Sequence, residues 1–265
     1  MRSLVLILLL FGSISAVHML APVDTEIKEG DVVYIGEIGP GQTIPLVIEE
    51  KVTTGGKFGI GGDYNLVIFE QVPVRWRGER SKLYGHPLQA SLTADSNAQE
   101  GEYTAKVVVI DENNADGLGN VSFFVKVNIT YDVMDMDVHP TFVRTGPGQP
   151  ARFEITIKNK GATGDAFEVS ATGEKRWEFK RTVFVPAKSS KTIVYEIVGN
   201  EEEVYRSKIA VVSRASQIIH EEKNVVVDVR SDIIGDMKAT NNGVIIFPIY
   251  ESLVYAFFGL ISNIF

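Results

Sequence analysis

The sequence predicts an all-β chain of two tandem sandwiches with an apolar segment at each end. Three observations predict it. Apolar and polar residues alternate with period 2 through the middle of the chain, anchor residues recur in one order at offsets of about 100 to 107 positions, and helical periodicity is absent until segment 243–265.

At the N-terminus, Met1, Arg2 and Ser3 precede an apolar run from Leu4 to Phe11, and Gly12, Ser13, Ile14, Ser15 and Ala16 follow it. The run is too short to cross about 30 Å of hydrocarbon comfortably. A charged, then apolar, then small-residue order is that of a secretory signal, cut near Ser15 or Ala16, and residues 1–21 are assigned to it. The alternative is an uncleaved anchor extended through Leu20, which Ser13, Ser15 and His18 oppose. Either way, the chain that follows is exported.

The middle of the chain is duplicated. Gly39-Pro40-Gly41-Gln42 recurs as Gly146-Pro147-Gly148-Gln149, each leading into a strand-like run. Asp63 matches Asp165, Trp76 falls opposite Trp177, Tyr103 matches Tyr205, and Val125, Val127 and Ile129 pair with Val225, Val227 and Val229. Within each unit the alternation is that of half-buried strands: Phe153, Ile155 and Ile157 stand against Arg152, Glu154, Thr156 and Lys158. About seven such runs per unit, broken by turns such as Asn159-Lys160-Gly161, is the spacing of an immunoglobulin-like sandwich. The units are expected at residues 22–133 and 134–230. Tyr103 and Tyr205 each open a long late strand, where a tyrosine corner would pin the preceding loop through its hydroxyl.

The second unit, with TGPGQPARFEITIKNKGATGDAFEVSATG, then Trp177, then VFVPAKSSKTIVYEIV and EVYRSKIAVVS, resembles the CARDB-type and alpha-galactosidase-associated Ig-like domains of archaeal and bacterial surface proteins. The resemblance covers Met134 to Arg230. It implies an accessory or adhesive module displayed outside the cell, with no catalytic residues to carry over. The first unit departs from the pattern by an insertion around Gly55 to Gly62 and a longer segment from Arg75 to Gly85. The absence of cysteine, the many Val and Ile residues and the Lys/Glu-rich polar positions lean toward an archaeal envelope.

Residues 231–242 are polar, with Gly and Asn, and suit a juxtamembrane linker. In 243–265 Glu251 is the only charge, and as a helix the segment would be about 34 Å long, enough to cross a bilayer once. Glu251, Tyr255, Gly259 and Ser262 recur at helical spacing and form one face suited to a partner helix. A carboxylate in lipid is costly unless paired, neutralised or wetted, so Glu251 points either to a partner or to the outer headgroups.

The net charge of −8 argues against a role built on binding nucleic acid phosphates, which needs a basic face. With no cysteine there are no disulfides, thiolate metal sites or cysteine nucleophiles. His18, His86, His139 and His220 are too far apart in sequence to form a close-spaced metal pair. No nucleophile elbow, P-loop or dinucleotide fingerprint is present, so no cofactor and no enzymatic activity are expected. One loop has a composition suited to a hard cation, offering Asp111, Asn113 and Asp116 to calcium, although a plain hairpin loop also accounts for it. Asn120-Val121-Ser122 and Asn128-Ile129-Thr130 are acceptor sequences for N-glycosylation. Arg75, Trp76 and Arg77 open the one basic and aromatic stretch and suit a ligand patch, glycan included, unless Trp76 is core like Trp177.

These readings converge on a single-pass protein of the cell membrane, with its sandwiches on the extracytoplasmic side and an interaction or structural role. The alternative is an accessory subunit of a membrane complex for secretion or glycosylation, bound to a protein partner through its C-terminal helix.

Overall fold

The computed structural model describes residues 16–231. Among these the chain is all-β, with short 3-10 turns and no α-helix. The first sandwich comprises β1 (Val17–Ala21), β2 (Thr25–Ile27), β3 (Val32–Ile38), β4 (Thr43–Ile48), β5 (Lys51–Val52), β6 (Gly62–Asp63), β7 (Leu66–Gln71), β8 (Arg77–Glu79), β9 (Leu88–Thr93), β10 (Gly101–Ile110) and β11 (Asn120–Ile129). One sheet has the order β2-β1-β4-β9-β8 and the other β3-β11-β10-β7. Pairing is antiparallel except where β3 runs parallel to β11. Alternation buries one face of each strand: Ile44, Leu46 and Ile48 from β4 meet Val107, Val109, Phe123 and Val125 from β10 and β11 in one core.

The boundary expected at Pro22 needs correction. Val17 and Met19 of β1 are fully buried in the first core, so the sandwich starts five residues earlier, at Val17. Hydrophobicity alone does not separate the end of an apolar leader from an edge strand that follows it. A cut at Ser15 or Ala16 leaves β1 whole.

The second sandwich comprises β12 (Met134–His139), β13 (Phe142–Thr145), β14 (Pro150–Asn159), β15 (Asp165–Thr172), β16 (Phe179–Val185), β17 (Ser190–Val198), β18 (Val204–Ser213) and β19 (His220–Val229). Its sheets are β12-β14-β17 and β13-β19-β18-β15-β16, enclosing a separate core around Phe153, Ile155, Phe167, Val169, Ile209 and Val225. Both units therefore have an immunoglobulin-like strand order, including the split first strand whose second half runs parallel to the last strand.

The repeat anchors coincide in space. Trp76 stacks on Tyr103 at 5.1 Å between ring centres, and Trp177 meets Tyr205 edge-on at 4.7 Å. The Tyr103 hydroxyl donates to the Gln99 carbonyl at 3.0 Å and that of Tyr205 to the Glu201 carbonyl at 3.3 Å, so both are tyrosine corners. One element differs. β8 joins the edge of β9, whereas its counterpart β16 crosses to the other sheet and pairs with β15.

Only residues 130–133 separate the sandwiches, and the interface between them is polar and closed. Gln42, 2% exposed, accepts from the Gly39 amide at 2.8 Å and donates to the buried Asp165 carboxylate at 2.9 Å. Asp165 also accepts from the Ser213 hydroxyl at 2.7 Å, and the Thr163 hydroxyl donates to Gln42 at 3.3 Å. The Ala162 amide donates to the Glu37 carbonyl at 2.7 Å, and the Ser216 hydroxyl to the Ser96 carbonyl at 2.7 Å. Gly41, at φ +71°, lies so close that a Cβ would stand 2.0 Å from the Ala215 carbonyl oxygen. Buried groups satisfied across an interface fix its geometry, because separating them strands each one.

Segments 1–15 and 232–265 lie outside the described residues, and with them the leader and the Glu251, Tyr255, Gly259 and Ser262 face. Among the described residues no helix is long and apolar enough to cross a membrane.

Candidate functional site

β10 runs away from the junction, so the loops after β4 and β10 meet at the far end of the first sandwich. The Gly-rich insertion forms a small hairpin on β5 and β6, and the loop of residues 111–119 buttresses it. The Asp111 carboxylate accepts from the amides of Asp116, at 3.1 Å, and Leu118, at 3.0 Å, which fixes that loop. The Asp116 carboxylate accepts from the Asp63 amide at 2.8 Å, and its carbonyl from the Lys57 amide at 2.8 Å. Lys57 Nζ donates to the Ala115 carbonyl at 2.7 Å.

The braced hairpin presents two apolar side chains to solvent: Phe58 is 84% exposed and Ile60 77%. They line a cleft of about 360 Å³ with Lys51, Val52, Lys57 and Asp116. Beside it His86 Nδ1 lies 2.8 Å from Glu50, a contact that holds the Glu50 carboxyl below its usual range. His18 joins β1 to Asp24 at 2.6 Å and Glu49 at 3.3 Å, and those two contacts raise its pKa. Aromatic and aliphatic groups held in water by a rigid support are what a protein or glycan surface buries on docking.

The sequence-predicted residues divide between scaffold and surface. Asp111 and Asp116 spend carboxylate oxygens on loop amides, Asn113 is in the left-handed region at φ +58°, and among the described residues no three acidic or histidine side chains are grouped to hold a metal. Trp76 is buried against Tyr103, which leaves Arg75 and Arg77 as the exposed members of their trio. Arg75 lies 3.9 Å from Asp95 and Arg77 3.1 Å from Glu79. Asn120 is exposed at the start of β11, and Asn128 is half-buried on the outer side of that strand. Phe58 and Ile60 were not among the predicted site residues. The signal available was two apolar residues alternating with glycines in an insertion that the second unit lacks.

No family model matches the chain, and no curated protein does. Solved structures similar to part of it include the CARDB domain of a Pyrococcus furiosus protein in complex with di-metal ions (21% identity, 39% of this chain and 94% of that one, TM-score 0.30). A chimeric titin Z1Z2 is 9% identical over 83% of this chain and 100% of that one, with a TM-score of 0.36. A complex of zinc 2-glycoprotein and prolactin inducible protein from human seminal plasma aligns at 9% identity over 37% of this chain and 95% of that one, with a TM-score of 0.32. At such scores these likenesses carry no argument about this chain's chemistry.

Proposed function

We propose that the protein is a membrane-anchored, extracytoplasmic interaction protein of the cell envelope. In this reading it works by binding and display rather than turnover, and its two sandwiches are tandem modules of the CARDB type. Segment 243–265 holds it to the membrane, and the far end of the first sandwich meets a protein or glycan partner. One observation carries this reading. In the second sandwich the corresponding end, with the loop of residues 159–165 and that following β18, is occupied by the Gly39–Gln42 turn of the first. Among the described residues nothing covers the same end of the first sandwich, and Phe58 and Ile60 stand exposed there.

The test is a photo-crosslinking residue at position 58 of the full chain in its own membrane, with position 180 on β16 as the comparison. The proposal predicts an adduct from position 58 and none from 180. Adducts from position 259 alone would instead favour the accessory subunit bound through its C-terminal helix.

A further inference from the structure

We propose that the outer edge of β17 is a self-pairing surface, and that two copies of the chain join there as antiparallel neighbours, merging their three-stranded sheets into one of six. One strand changes sheets between the two sandwiches. In the first sandwich β8 covers the edge of β9; in the second, β16 has gone to β15, and among the described residues β17 pairs only with β14.

The groups left open follow from the pairing. The Asn159 amide donates to the Ser189 carbonyl, and the register continues from Lys158 with Ser190 to Pro150 with Val198. In an antiparallel ladder this assigns the amides and carbonyls of odd-numbered β17 residues to β14. Those of Ser190, Thr192, Val194, Glu196 and Val198 point the other way, and among the described residues no backbone group bonds to them.

Several of the other edges are blunted. β2 and β8 have three residues each, β12 alternates Asp135 and Asp137 along its outer face, β16 carries Lys180 beside Arg181, and the Ser81 amide and hydroxyl cover Val67 of β7. By contrast, β17 runs nine residues with no proline or glycine, and Val194, 47% exposed, sits at its centre.

The occupant follows from the strand's own sequence. With the two-fold axis at Val194, Val194 opposes itself, Thr192 opposes Glu196 of the second copy, and Ser190 opposes Val198. On the other face Ile193 meets Tyr195 and Lys191 meets Ile197. No like charges oppose, and the interface is isologous, so it closes at two copies.

The chain has no cysteine, so Val194→Cys is a clean probe. Facing residues of a hydrogen-bonded pair lie about 5.5 Å apart at Cα, within disulfide reach. Full-length protein in detergent is expected to sediment at twice the chain mass, and Val194→Cys to form a disulfide-linked dimer under mild oxidation at least tenfold faster than Thr182→Cys on β16. Val194→Pro removes an outward amide that the fold does not use, so it is expected to halve the sedimenting mass while keeping the melting temperature within a few degrees. A wild-type chain that sediments singly, equal cross-linking at the two positions, or an unchanged mass for Val194→Pro with the fold intact would each overturn the proposal.

Discussion

At the scale of single residues, one four-residue motif has two fates decided by its neighbours. Gly41 and Gly148 share the same turn, at φ +71° and +74°, but a Cβ at 148 meets nothing within 4 Å whereas one at 41 strikes the Ala215 carbonyl. Both alanine variants incur the cost of a left-handed turn, about 1–2 kcal/mol. Gly41→Ala must in addition open the junction, so its melting temperature is expected to fall well below that of Gly148→Ala. Gln42→Ala removes one donor from buried Asp165 and is expected to cost about 1–3 kcal/mol, read by chemical denaturation. At the other end of the first sandwich His18 has a raised pKa, chiefly through Asp24 and then Glu49. A raised folded pKa stabilises fully below the ordinary value of 6.5 and fades as pH climbs through the folded one. The melting-temperature advantage over His18→Gln is therefore expected below pH 6.5 and should disappear once pH has risen past the folded pKa.

At the scale of elements, period 2 made most strands legible, because one residue in two faces a core. The tyrosine corners were legible too, each standing at the start of a long strand. The sheet to which β8 or β16 belongs was not, since the choice depends on which edge offers a partner and not on the segment's own pattern. Nor was the different use of Asp63 and Asp165, which share a position in the repeat: the first lies exposed in the hairpin, the second is buried against Gln42. In the sequence the glycines around Phe58 mark only an insertion, and the bonds from Asp116 and Lys57 reveal that it is a braced hairpin. Because Phe58 and Ile60 touch little, replacing both with alanine is expected to change folding stability by no more than about 0.5 kcal/mol while abolishing the cross-link from a probe at Lys51. A large loss of stability would make them structural instead.

At the scale of the whole molecule, the junction makes two sandwiches act as one body, with the braced hairpin at one end and the chain's exit at the other. At that exit Asp228, 6% exposed at its side chain, is clamped by Arg144 at 3.0 Å and Arg230 at 2.8 Å. Burial works against its charge, but those two hydrogen bonds prevail and hold its pKa below the usual carboxylate range. The most direct test of the central claim uses Ile60→Cys in the otherwise cysteine-free chain, exposed in intact cells to a membrane-impermeant maleimide. Extracytoplasmic display predicts labelling as complete before lysis as after it, on protein that remains in the membrane after alkaline carbonate. Labelling that requires lysis, or a chain that the carbonate releases, would contradict the account.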